Sequence, residues 1–363
     1  MREPPRDLTE EAVISALRAG WEIEAATTEY LPVGAGSHHW SVRDRGGATW
    51  FVKVDDLGAV PAGREAAFDR LRRSLMTAVT LRRESGLDFV LAPVPAPGGE
   101  ALRRLSSRYG LSLYPLLEGS SGDFTPHPPA DRQALVEMLA ALHRTGSSTA
   151  SDTASSPSPL SLPGLSLPGL SLPGLSLPRP SFPGRSGLEE ALRDTGRPWT
   201  AGPYAEPTRA ALTTHTTLIQ KWLTDFDQLA ESIGDPARWV LTHGEPHPGN
   251  LLHTPGGLLL IDWDTAGVAP PERDLWMLTS VFAEMLGEKP SGDDAAVLDR
   301  YAELTGHQAS TDALAFYRLW WVLADIAIYT DQLRRPHVAG ADLAASLSYL
   351  TGNLQASWSS TSD

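Results

Sequence analysis

Apolar and polar positions follow two different periods along this chain. Up to about residue 117 the signal is short-range alternation. Trp50, Val52 and Val54 share one face of a segment whose other face carries Thr49, Phe51 and Lys53, the period of two expected of a strand. The same reading gives strands over 28–33, 40–43 and 48–54. The first two are joined by Gly34-Ala35-Gly36-Ser37-His38-His39 and the last two by the turn Asp44-Arg45-Gly46-Gly47. Further strands are expected over 89–93, 102–105 and 111–117. Two helices flank them: one opened by Asp7-Leu8-Thr9-Glu10 with Ile14, Leu17 and Trp21 at helical spacing, and one over 62–84 with Ala66, Leu71, Leu75 and Val79 in phase.

Beyond the turn-rich stretch 120–129 the period lengthens to that of helices, expected over 130–144, 188–193, 206–233, 275–286, 294–304, 313–333 and 341–350. One short β-like passage interrupts them, an apolar run into a polar turn at 239–250 and a hairpin reversing at Thr254-Pro255-Gly256-Gly257. Between about 146 and 187 the chain repeats Leu-Ser-Leu-Pro-Gly from Leu160, Leu165 and Leu170. Proline in every copy blocks helix and central strand, so the segment reads as an inserted linker without chemistry. The tail 359–363 reads as a frayed end.

Composition narrows the function classes. The 363 residues, 41% of them hydrophobic, suffice for two lobes with substantial cores. A net charge of -14 argues against nucleic acid or an anionic membrane as main partner and suits a cationic substrate. No cysteine is present, which removes thiolate chemistry. Without a signal-like N-terminus or a spanning apolar run, the expectation is a cytoplasmic protein, monomeric or weakly dimeric. Only three lysines occur, Lys53, Lys221 and Lys289, so a lysine inside a strand attracts notice.

Four groups of residues carry candidate chemistry. The loop containing Gly34, Gly36 and Ser37 brings backbone amides and a hydroxyl where a phosphate could sit, although a plain hairpin turn reads the same way. It is neither a Walker loop nor a dinucleotide fingerprint. Lys53 either snorkels to water or meets a buried anion, and the upstream glycine loop favours the anion; Glu65 or Asp69, on the following helix, are candidate partners, or merely solvated residues. His243-Gly244-Glu245-Pro246-His247-Pro248-Gly249-Asn250 offers a carboxylate to deprotonate a hydroxyl and an amide to ligate Mg²⁺, and Asp262 supplies the hard oxygen that Mg²⁺ prefers. A zinc site from His243, Glu245, His247 and His253 is a rival, but the prolines prevent the helix of an H-E-x-x-H motif. Asp264 reads as a further metal carboxylate or a loop cap. Asp274 reads as a helix N-cap or a brace to the loop at His243.

Together these residues resemble the aminoglycoside phosphotransferase family, whose fold is similar to that of protein kinases. The likeness rests on His243 through Asn250, on Ile261-Asp262-Trp263-Asp264-Thr265-Ala266-Gly267, on Asp274-Leu275, on Leu139-Ala140-Ala141-Leu142-His143 and on Tyr114 through Gly119. It implies an α+β, bilobal fold: an antiparallel-sheet N-terminal lobe over 1–112, a hinge at 113–119, and a helical C-terminal lobe over 120–363 carrying the insert. It also implies ATP or GTP as phosphoryl donor with Mg²⁺, the nucleotide held by Gly34, Gly36, Ser37, Lys53, Tyr114, Leu116 and Leu117. Asn250 and Asp262 would hold the metal, with Glu245 as base and His243 and Asp274 as structural supports. The acceptor would be a hydroxylated, cationic antibiotic met by acidic residues from Asp264, Glu272 and Asp325, the last alternatively a buried carboxylate satisfied by an arginine. A small-metabolite kinase or a non-catalytic nucleotide binder are the alternatives. The short span between Asp262 and Asp274 leaves little room for a protein-kinase activation segment. One departure stands out: the family usually has aspartate where this chain has Glu245, which displaces the carboxylate by about 1.5 Å. Deleting the repeat over 160–178 is expected to leave kcat unchanged, measured by steady-state phosphoryl transfer.

Overall fold

A computed structural model of the chain describes residues 1–34, 36–58, 63–145, 180–289 and 292–355. The N-terminal lobe begins with helix α1 (Glu10–Trp21), capped by the Thr9 hydroxyl, which accepts from the Ala12 amide. Asp7 instead accepts from the Tyr109 hydroxyl at 2.6 Å. Strands β1 (Ala25–Leu31), β2 (Ser37–Asp44), β3 (Thr49–Asp56), β4 (Arg103–Arg104) and β5 (Tyr109–Pro115) form an antiparallel sheet in the order β1-β2-β3-β5-β4, with helix α2 (Arg64–Arg83) between β3 and β4. Val52 and Val54 pack with Val13, Leu17 and Trp21 of α1 in one apolar cluster. The alternation of β3 therefore sends Lys53 to the opposite face. There it pairs in register with His39 and Ser112.

The C-terminal lobe follows a short β6 (Ser120–Ser121) and helix α3 (Pro129–Arg144). Helices α4 (Arg185–Arg193), α5 (Ala205–Thr214) and α6 (Thr216–Glu231) lead to β7 (Val240–Thr242), β8 (Leu251–Thr254), β9 (Gly257–Leu260) and β10 (Gly267–Ala269). Strand β7 pairs with β10, and β6-β8-β9 form a second small sheet. Helices α7 (Glu272–Leu275), α8 (Ser280–Met285), α9 (Asp294–Thr305), α10 (Thr311–Arg334) and α11 (Ala341–Gln355) complete the lobe. Helix α10 runs through its core, with Phe316, Leu319, Val322, Leu323, Ile326 and Ala327 buried, as expected of a helix apolar around most of its circumference. Among the described residues no helix is long and apolar enough to cross a membrane.

Several expected boundaries shift for physical reasons. The segment 89–93 makes a single parallel bridge, Val90 to Leu260, rather than a strand; its Leu91 amide donates to Leu260 O and the Leu260 amide to Phe89 O, tying it to the other lobe's hairpin. The helix expected over 206–233 breaks at His215. Around that point Thr213, Thr214 and Thr216 turn their hydroxyls onto the carbonyls of Arg209, Ala210 and Leu212, the back-bonding that weakens and bends helices. The helix expected over 275–286 is interrupted by a 3-10 turn, Trp276–Leu278. Of the residues 113–119 expected at a hinge, Leu113 to Pro115 pair with β3 as part of the sheet. Most of the repeat insert, 146–179, lies outside the described residues, as does the tail at 359–363, but 180–187 is structured. Phe182 is buried against Phe226, ring centroids 5.2 Å apart, and Arg185 opens α4.

Candidate active site

The site is built where β3 of the upper lobe faces the β7–β10 segment of the lower one. Lys53 is buried, and its ammonium donates to Asp262 Oδ1 at 2.7 Å and to Asp264 Oδ2, with Asp55 Oδ1 3.6 Å away. Neither expected partner is involved: Glu65, at the start of α2, is exposed and pairs with Arg104, and Asp69 pairs with Arg72. Asp55, not among the expected partners, is on the same face as Lys53 by strand alternation. The Ser37 hydroxyl is also taken, donating to Asp55 Oδ1 at 2.6 Å, so it braces the lysine's surroundings instead of standing free in the glycine loop. Gly34 and Gly36 have φ of +68° and +84°, conformations that a side chain would strain.

Three carboxylates therefore surround one ammonium in a buried place. Charge of that sign invites a cation. Asp262 is burdened by burial, yet the Lys53 charge holds it down at about 2, while burial and the neighbouring Asp262 and Asp55 push Asp264 well above the usual carboxylate range. Asp264 Oδ1 and Asp55 Oδ2 are buried without a hydrogen-bond partner. Unsatisfied hard oxygens beside Asp262 fit the coordination chemistry of Mg²⁺. Asp262 itself has φ +62°, an uncommon backbone for aspartate that turns the chain between β9 and the next segment. Among the described residues no group of three or more His, Asp and Glu is arranged to hold a metal. His253, proposed for zinc, instead meets Asp131 at 3.1 Å.

The loop after β7 is held from beneath. Asp274 Oδ2 accepts from the His243 amide at 2.8 Å and Oδ1 from the Gly244 amide at 2.6 Å, and His143 Nε2 donates to the same carboxylate at 3.0 Å. Asp274 is thus the brace and not a helix cap. His243 Nε2 donates to Ile261 O while its Nδ1 accepts from the Glu245 amide. That pair of bonds sets a neutral imidazole, in line with burial lowering its pKa. Asn250 donates its amide to Glu245 O at 2.9 Å, which turns its side-chain oxygen the other way. Among the described residues the Glu245 carboxylate accepts no hydrogen bond. Burial, with Asp262 and Asp325 adding repulsion, pushes it up to about 7, within the range of a general base.

Of the expected acceptor-binding carboxylates, Glu272 is corrected. It is buried and accepts from His307 Nε2 and the Ser310 amide, a structural role. Asp264 belongs to the lysine. Among the described residues no arginine meets Asp325 on α10; its Oδ2 accepts a 3.4 Å bond from Asn353, and burial raises it to about 7. Tyr114 is buried in the sheet, edge-on to Phe51, while Leu116 and Leu117 stand exposed at the hinge.

With this geometry in place, the family model of the phosphotransferase enzyme family matches residues 27–320. The chain belongs to that family. This phosphotransferase is 29% identical over 324 residues to the protein StrN of Streptomyces griseus, covering 86% of this chain and 82% of that one. Its fold is similar to that of the spectinomycin phosphotransferase APH(9)-Ia solved with ADP and spectinomycin (TM-score 0.63, 16% identity, 95% and 94% of the two chains), and to the amicoumacin kinase hAmiN solved with AMP-PNP and Ca²⁺ (0.55, 14%, 96% and 93%). The protein-kinase-like bilobal α+β architecture is thereby shared, and the chain is a small-molecule kinase.

Two outcomes test the phosphotransferase site's construction. Gly244 has φ +99°, and a Cβ there would collide with the Arg273 guanidinium, so Gly244→Ala should cost about 2 kcal/mol, read as a fall in Tm. Asp325 keeps its proton to about pH 7 when folded, whereas the unfolded chain releases it near 4. Stability therefore declines as pH rises through that window. Asp325→Asn should raise Tm more at pH 8 than at pH 5.

Proposed function

We propose that the protein transfers the terminal phosphoryl group of ATP or GTP to a hydroxyl of a small cationic antibiotic or closely related molecule. The observation that carries this reading is Lys53 of the sheet lobe meeting Asp262 and Asp264 of the other lobe, beside the loop that presents Glu245. Phosphate-holding and proton-accepting groups then line one cleft. The spectinomycin and amicoumacin kinases similar in fold support an antibiotic as the acceptor class.

In this reading Lys53 binds phosphate oxygens as a point charge, with the backbone of the glycine loop over them. Asn250 and Asp262, with Asp264 as the nearest further oxygen, would hold Mg²⁺, which when bound offsets charge on the transferring group. Glu245 orients the acceptor hydroxyl and takes its proton. The hydroxyl oxygen attacks the terminal phosphorus, and the bond to the bridging oxygen breaks, releasing nucleoside diphosphate. Asp274 and His143 do none of this chemistry. They fix the loop so that Glu245 points at the acceptor.

The extra methylene of Glu245 is offset, in this reading, by the tight turn at Gly244 and the Asn250 bond to the Glu245 carbonyl. Asp262→Asn should abolish metal-dependent transfer. Glu245→Gln should lower kcat by at least about a hundredfold with nucleotide affinity retained. Both are measured by mass spectrometric detection of a product heavier by one phosphoryl group. Near-normal turnover in Asp262→Asn would refute the metal assignment.

A further inference from the structure

Beside the Glu245 loop stands an aromatic wall that phosphoryl chemistry does not require. Phe124, 45% exposed, lies edge-on to His247 of the loop at 4.8 Å and to Phe282 at 5.4 Å, and its ring is nearly parallel to Trp321 at 6.2 Å. Trp321 begins a stripe of α10: Asp325 follows one turn later and Tyr329 one turn after that, on the same face. These three are only partly buried, whereas Val322, Leu323, Ala324, Ile326 and Ala327 between them are buried. Tyr349 of α11, 54% exposed, sits over Tyr329 at 5.9 Å. The stripe runs beside the catalytic loop. The His247 ring is 6.4 Å from that of Trp321, and the charge of Asp325 reaches Glu245.

The electrostatics of this wall are spare. Glu272 is sequestered by His307 and Ser310, Asp264 by Lys53, and Asp331 by Arg335. Asp123, next to Phe124, faces solvent, where a charge is screened and weak. That leaves Asp325 as the carboxylate of the accessible stripe, and among the described residues its Oδ1 has no partner. A polycationic acceptor needs several carboxylates, each paired, since an unpaired buried charge is costly. With Glu245 given to the acceptor hydroxyl, one carboxylate flanked by aromatic faces remains, which suits one ammonium and an apolar ring surface, joined by a charge-assisted hydrogen bond and by cation–π and stacking contacts.

We infer that the acceptor of this kinase is a ring-bearing hydroxylated monoamine, its ammonium on Asp325 and its apolar face on Phe124 and Trp321, rather than a polycationic aminoglycoside. This rests on the proposed function and narrows it. The wall sets which hydroxyl reaches Glu245, because the amine and the ring face fix the acceptor's orientation at two points.

The test measures binding and turnover separately on the full chain. Calorimetry in the presence of ADP compares hydroxylated ring monoamines, from trans-2-aminocyclohexanol to macrolides with one dimethylamino sugar, against kanamycin-type polyamines. Monoamines should bind in preference, and Asp325→Asn, Trp321→Ala and Phe124→Ala should each weaken them at least about tenfold, with ADP affinity unchanged. In turnover assays the same variants should raise acceptor KM far more than they lower kcat, and Asp325→Glu should recover part of the loss. Preference for polyamines, or monoamine affinity indifferent to Asp325→Asn, overturns the inference even if phosphoryl transfer is observed. Selective, Asp325-dependent monoamine binding without transfer from ATP or GTP sustains the inference and refutes the proposed function.

Discussion

A buried ammonium ties the two lobes together, beside the backbone bonds of Phe89 and Leu91 to Leu260. Lys53 comes from a strand whose other face is committed to the N-terminal apolar core, and its charge has nowhere to go but across the cleft. Asp262 and Asp264 meet it from the opposite lobe. Removing both aspartates would leave the buried ammonium only Asp55, 3.6 Å away, and losing a partner of a buried charge costs more than the pair contributes. Asp55 adds a third carboxyl group around the same ammonium, and the unpartnered oxygens of Asp55 and Asp264 suit a further cation there. Lobe contact and the fit to a cation therefore draw on the same carboxyl groups.

Much of this was legible in the chain, because it is written locally. The alternation in β3 puts Lys53 opposite the core, and the prolines and glycines around Glu245 announce a rigid loop whose hairpin returns Asp262 to it. What remained hidden depends on distant packing. Nothing in the spacing of α2 reveals that Glu65 faces Arg104 at an exposed edge. Glu272 looked like an acidic residue near a pocket, but its partners, His307 and Ser310, lie more than thirty residues away. Phe124 sits in a turn-rich stretch and Trp321 in an apolar helix; only the folded chain stacks one on the other. Asp55 was within reach of the sequence, two positions after Lys53, and the alternation rule would have found it.

The two sides of the cleft are built on different principles. The proposed nucleotide side uses charges locked to one another across the two lobes. The proposed acceptor side sets aromatic rings around Asp325, a surface that single substitutions can alter without touching the lysine. Substrate range can drift on such a wall while the chemistry stays fixed.

The brace beneath the catalytic loop couples that loop to the whole lobe. Asp274 takes the amides of His243 and Gly244, His143 donates to Asp274, and Tyr301 of α9 lies 2.6 Å from the other nitrogen of His143. Those two loop amides cannot open to solvent without parting a chain of buried groups from three segments of the lobe. The loop that carries Glu245 is therefore coupled to the packing of the C-terminal lobe, unlike a surface loop free to open by itself, and its two braced amides are expected to exchange slowly with solvent.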